Sequence, residues 1–135
     1  MRKNYIIIAV LVLFFVIIGV GVYNGRKDNT SGAKTISMTI EGRKVKLLVA
    51  DNEVEWAYGL MNRRSLPEAD GMLFKFPKKE MRQFWNMNTF MDLHIVWMDG
   101  NQVIGTSELP SIEKSKKYVT VQSPAPADRV VELVR

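Results

Sequence analysis

Met81-Arg82-Gln83-Phe84-Trp85-Asn86-Met87-Asn88-Thr89-Phe90-Met91-Asp92-Leu93-His94-Ile95-Val96-Trp97-Met98-Asp99 holds two extended runs separated by an Asn-Thr step. Gln83–Met87 and Leu93–Met98 are rich in aromatic, β-branched and methionine side chains, and Asp99-Gly100-Asn101 supplies a turn. That composition, bounded by turn residues, predicts strands rather than helices. The same stretch contains two of the three tryptophans, the only histidine and four of the eight methionines. A core strand seldom needs an Asn-Thr kink between Trp and Phe, whereas a binding surface often does.

The flanks carry the same period. Ile36, Met38 and Ile40 alternate with Ser37, Thr39 and Glu41, and Val45, Leu47 and Val49 follow the Glu41-Gly42-Arg43 turn. Alternation on both sides of a Gly turn predicts a hairpin. Asn52 to Met61 predicts one helix of two to three turns. Asn52 can cap it, Glu55 stands at capping-box spacing, and Trp56 and Leu60 share a face. Gly59 inside so short a helix costs about 1 kcal/mol against Ala, which points to a close approach there. Residues 63–71 form a turn-rich loop, and Met72–Phe76 is a short strand ended by Pro77. Gln102–Thr106, Tyr118–Gln122 and Arg129–Val134 complete a set of about eight strands. The expected fold is mainly β: a small antiparallel sandwich or partly closed barrel with one short α-helix.

Tyr5 to Tyr23 is a run of nineteen uncharged residues. As a helix it would span about 28 Å at roughly 1.5 Å per residue, close to the hydrocarbon thickness of a bilayer. A cleaved signal peptide would have an apolar core of about 7–15 residues and a small-x-small site. The length of this run favours a retained anchor. Arg2 and Lys3 precede it while Arg26 and Lys27 follow, so the charge bias is nearly balanced. The four-residue tail ahead of a long domain places the domain outside the cytoplasm. The expected layout is therefore an anchor or uncleaved signal over 1–24, a flexible linker over 25–35 and a β-rich domain over 36–135.

The chain carries a net charge of +5 and no cysteine. All fourteen acidic residues and seventeen of the nineteen Lys/Arg fall after residue 25, which leaves the expected exported part, linker and domain together, at about +3. Its basic residues are scattered and interleaved with acids, so a nucleic-acid partner is not expected. With no Cys and one His, a zinc centre would have to lean on carboxylates, and no Gly-rich phosphate loop is present. Copper(I) held by thioethers near His94 is a further idea, but methionine more often fills core gaps. Neither a metal nor a cofactor is expected.

Two constellations could carry function. Asp92 and His94, two apart on a predicted strand, could act as an acid–base pair of a hydrolase, with Thr89 or Ser65 as nucleophile. Against this, catalytic His and carboxylate groups usually converge from distant segments. Phe84, Trp85 and Trp97 could form a stacking platform for a sugar or peptide, with Asn86, Asn88 and Thr89 as hydrogen-bonding partners. The opposing possibility is that these aromatics are simply core. The Asn88-Thr89 pair is better suited to line a cleft, or to pin a loop, than to sit unpaired in a core.

Ala50-Asp51, Gly59-Leu60-Met61-x-Arg63, Ser65-Leu66-Pro67, Gly71-Met72-Leu73-Phe74-x-Phe76, Phe84-Trp85-x-x-Asn88-Thr89 and Leu93-x-Ile95 occur in this order. Together they resemble the domain-of-unknown-function family 192 of bacteria and archaea, over Ile36 to Leu133. The resemblance implies a small β-rich sandwich or barrel with a short helix, and it assigns no activity. Its polar and aromatic motif members, Arg63, Phe84, Trp85, Asn88 and Thr89, are the candidates for lining one cleft. The chain departs from the family pattern in three places. Trp85-Asn86-Met87 stands where the family has Trp-Met-Lys, which removes a lysine. Asp92-Leu93-His94 stands where the family has Pro-Leu-Asp, which replaces an aspartate with His94. The family also continues past Val131-Glu132-Leu133 with a Gly-bearing segment. The expectation from the sequence is an anchored, extracytoplasmic binding module for a small polar ligand, glycan or protein segment. A hydrolase using Asp92 and His94, or an envelope scaffold, are the alternatives.

Overall fold

In the computed structural model residues 33–135 are described, and the predicted anchor Tyr5–Tyr23 and most of the linker lie outside the described residues. Among the described residues eight strands form: β1 (Thr35–Ile40), β2 (Arg43–Ala50), β3 (Gly71–Glu80), β4 (Gln83–Trp85), β5 (Leu93–Asp99), β6 (Gln102–Leu109), β7 (Thr120–Gln122) and β8 (Ala127–Val134). Within the same described residues two short helices accompany them, α1 (Glu53–Tyr58) after β2 and α2 (Ile112–Ser115) after β6. Among the described residues no helix is long and apolar enough to cross a membrane.

Six strands make one sheet in the order β1-β2-β3-β8-β5-β6, and β4 and β7 pair as a separate two-stranded ribbon. The fold is mainly β as expected, but its pairing is mixed and not wholly antiparallel. β2 and β3 pair in parallel, from Leu47 with Gly71 to Ala50 with Phe74, and the six-stranded sheet does not close, since β1 and β6 are both edges. The physical reason is the connection between them. Parallel neighbours need a crossover of a dozen or more residues, and residues 51–70, with α1 at their start, supply it. The last strand then fills the sheet's centre: β8 pairs antiparallel with β3 on one side and β5 on the other.

The β1–β2 hairpin forms where expected. Ile40 pairs with Arg43 across Glu41 and Gly42, both with positive φ (48° and 79°), as a two-residue hairpin turn requires. α1 is shorter than its expected span. Asn52 caps it, its side chain accepting from the Glu55 backbone N–H at 3.1 Å. Gly59 is the residue that ends it, at φ 47° and ψ −128°, a region almost closed to residues with a Cβ. β3 continues past Pro77, where the sequence suggested a stop. Pairing with β8 slips between Lys75 and Glu80, so Pro77 stands in an irregular stretch that needs no ladder donor. The second helix was not foreseen: Ser111 caps it by accepting from the Lys114 backbone N–H.

Strand alternation sorts the buried side chains onto two faces. On β5, Leu93, Ile95 and Trp97 join Leu48, Ala50, Met72, Phe74 and Val130 in one cluster, covered by Trp56, Leu60, Leu66, Met91 and the ribbon's Phe84 and Val121. Val96 and Met98 join Ile40, Val45, Leu47, Leu73, Val131 and Leu133 on the other. The sheet rolls over this second face. His94 on β5 bonds Glu41 in the β1–β2 turn at 3.0 Å, although β3 and β8 separate β5 from β2.

Candidate functional site

A cleft of about 240 Å³ opens on the first face, between the C-terminal half of α1, β3 and the start of the ribbon. Its walls are a chain of aromatic rings. Trp56 and Phe76 lie 5.1 Å apart, Phe74 and Phe76 6.4 Å, and Phe74 and Phe84 meet edge to face at 4.9 Å. The Trp56 indole N–H donates to the Ala50 carbonyl at 3.0 Å, which fixes that ring. Met81 and Trp85 stand half-exposed at the rim. The Arg82 guanidinium stacks 3.8 Å above the Phe76 ring and donates to the carbonyls of Ala127 and Lys78. It also pairs with Glu80 at 3.5 Å. Arg82 is thus a fixed part of the wall.

At the floor lies Glu132, which sequence reasoning missed. It occupies the central strand, opposite Met72 on β3 and Ile95 on β5, on the same side as Val130. It is 5% exposed. Its Oε2 is the one buried side-chain polar atom among the described residues that has no hydrogen-bond partner. Burial alone pushes its carboxyl up to about 8, because the ionised form loses its hydration and gains no partner. A Cβ on Gly59 would lie 3.7 Å from Glu132 Oε2 and 3.0 Å from the edge of Phe74. The bare glycine at the end of α1 therefore lets the helix backbone approach the carboxyl. A signal was present in the sequence: Glu132 interrupts the apolar run Val130-Val131-Leu133-Val134, the mark of a strand covered on both faces.

The predicted site residues divide. Phe84, Trp85 and Thr89 line this cleft together. Arg63 and Asn88 are not among its lining residues. Arg63 donates to Glu68 at 2.7 Å within the crossover loop, and Asn88 is an exposed turn residue at φ 50° whose carbonyl accepts from Asn62. Trp97 is fully buried and meets Phe84 edge-on at 5.7 Å, so it belongs to the core instead of a platform. Asn86 is a pin. Wholly buried, it donates to Pro110 O and Ser115 Oγ, both at 2.9 Å, and accepts from Val119 N at 2.8 Å. Thr89 is buried too, its hydroxyl bonding Met87 O at 3.3 Å.

Asp92 and His94 serve the scaffold. Asp92 accepts from the Ser111 backbone N–H at 2.8 Å and from Lys114 at 2.9 Å. The Ser111 bond first, then Lys114, hold its carboxyl below the ordinary range. The His94 ring lies between Glu108 and Glu41, which ties β6 and the β1–β2 turn to β5. Burial raises the Glu108 carboxyl, but bonds from His94 and Arg135 outweigh it and hold the group low. Among the described residues no group of three or more His, Cys, Asp or Glu could hold a metal ion.

Two solved structures share the fold. One, described as a "putative transcription regulator" of Sinorhizobium meliloti 1021, is 25% identical with a TM-score of 0.58, covering 74% of this chain and 78% of the other. The second, a protein of unknown function from Novosphingobium aromaticivorans DSM 12444, is 20% identical with a TM-score of 0.57, covering 82% of this chain and 88% of the other. No curated protein matches the chain. The family model described as DUF192, Uncharacterized ACR, matches residues 36–135. With the glycine, phenylalanine and tryptophan motifs gathered around one cleft, the chain belongs to the DUF192 family.

Proposed function

We propose that this chain is a binding module, held outside the cytoplasm by its Tyr5–Tyr23 segment, that takes a small polar ligand into the cleft above Glu132. The observation that carries this reading is the buried carboxyl of Glu132 at the floor of an aromatic cleft, whose Oε2 has no hydrogen-bond partner among the described residues. A buried polar group without a partner costs about 1–3 kcal/mol or more. A fold that keeps one in its central strand is spending stability on something other than folding. The cleft volume of about 240 Å³ falls below the range of roughly 300–1,000 Å³ usual for drug-sized ligands, which favours a small molecule. The alternative hydrolase reading loses support, because Asp92 and His94 are each engaged in bonds that join strands and loops. A nucleic-acid role, suggested only by the name of the Sinorhizobium structure, finds little support in basic residues that pair with acids, such as Arg64 with Glu113 and Lys79 with Asp99.

The test is a ligand-observed NMR screen of the full-length chain in nanodiscs against a library of small polar fragments, comprising sugars, polyols, amines and amides. Hits are expected that Trp85→Ala weakens and that Arg63→Ala and Asn88→Ala leave intact. Hits that ignore Trp85→Ala, or no hits in any class, would overturn the reading.

A further inference from the structure

We infer that the ligand carries a primary ammonium group on a short aliphatic stem, with its charge seated on Glu132 and its stem lying between Trp56, Phe76 and Phe84. The inference rests on the cleft being a binding site and names the chemistry that this site selects. Three observations converge on it. The floor offers a carboxyl with an oxygen that no group among the described residues satisfies. The walls are aromatic faces, whose negative quadrupoles attract cations and whose carbon surface suits a methylene stem. The other charged lining residue, Arg82, is held to Phe76, Ala127, Lys78 and Glu80, so the cleft keeps its anionic acceptor available. The remaining titratable lining group is Tyr58.

Binding then has a defined proton balance. In the empty cleft at neutral pH the carboxyl holds its proton, because burial has pushed it up to about 8. An arriving ammonium donates N–H hydrogen bonds to the carboxylate, no covalent bond forms or breaks, and the carboxyl proton leaves to solvent. Uptake of the cation is therefore coupled to release of one proton. A neutral acceptor, such as a sugar hydroxyl or an amide carbonyl, would instead accept from the protonated acid and release none.

The probe is n-butylammonium, with n-butanol as its neutral isostere and Nα-acetyl-lysine methylamide as the same head on a peptide. Titration calorimetry of the full-length chain in nanodiscs, in buffers of different ionisation enthalpy at pH 7, reads affinity and proton release together. The expected result is binding of butylammonium over butanol by roughly tenfold or more, the size of a charge-assisted hydrogen bond. Close to one proton is released per ligand, and affinity rises with pH until the acid's own midpoint. Glu132→Gln, confirmed as folded by thermal unfolding, loses both the preference and the proton release. Butanol binding as well as butylammonium, or butylammonium binding without proton release, would overturn the ammonium assignment while leaving a binding cleft. Failure of every probe and of the fragment library would remove the cleft reading itself. Exclusion of the capped lysine supports a small-molecule amine over a peptide lysine, and its binding in place of butylammonium would overturn the small-molecule form of the inference.

Discussion

Glu132 and Asn86 are both buried polar side chains, and they solve the problem of burial in opposite ways. Asn86 satisfies its amide completely, with donors turned to Pro110 O and Ser115 Oγ and its oxygen to Val119 N. Asn86→Ala leaves those groups unpaired and should cost about 1–3 kcal/mol in urea denaturation. Asn86→Asp should cost more, since it sets a negative charge against oxygens that need a donor. Glu132 has no such relief, and its effect on stability depends on pH. Its folded midpoint of about 8 lies above its ordinary value of 4.5, so between those values the folded state holds a proton that the unfolded state has lost. Its contribution is therefore fully present below 4.5 and is lost as pH rises through 8, at roughly 1.4 kcal/mol per pH unit at most. Thermal unfolding of Glu132→Gln across pH 5 to 9 should show a flatter profile than the parent chain, with the variant the more stable of the two at the alkaline end.

At the scale of elements, Gly71 shows how tightly the central strands approach. A Cβ at Gly71 would lie 1.9 Å from the Glu132 carbonyl oxygen, a backbone atom that cannot swing aside. Gly71→Ala must separate β3 from β8 in the middle of the sheet. The expected loss is about 3 kcal/mol or more, read by denaturation, with amide exchange rising first along Met72–Phe74 and Val130–Glu132. Most elements were legible because period-two alternation is a local signal. Ile36–Ile40, Val45–Val49 and Leu93–Met98 all fall within observed strands. The parallel pairing of β2 with β3 was not legible, since it depends on how the 51–70 crossover lays β3 beside β2. The central place of β8 was hidden for the same reason, and Glu132 with it. In an isolated strand a glutamate among valines looks like the solvent-facing member. The motif residues Phe84, Trp85 and Thr89 line the cleft, whereas Arg63 and Asn88, grouped with them as polar members of the family motifs, lie elsewhere.

For the molecule as a whole, the described residues form a rolled mixed sheet with an aromatic cleft on one face, and the membrane tether is a proposal. The tether is tested by topology: alkaline phosphatase fused after Arg135 should be active in bacterial cells and β-galactosidase inactive, and removing residues 5–23 should reverse the pair. An active β-galactosidase fusion of the full chain would place the domain inside. The binding reading rests first on Glu132, a buried acid whose Oε2 has no hydrogen-bond partner among the described residues. The most direct measurement of that fact is the 13C NMR titration of the Glu132 carboxyl in the full-length chain, assigned by its absence from Glu132→Gln. A midpoint near 8 is predicted; titration in the ordinary carboxylate range, near 4.5, would mean that water or a hidden donor already satisfies the group and would contradict the account.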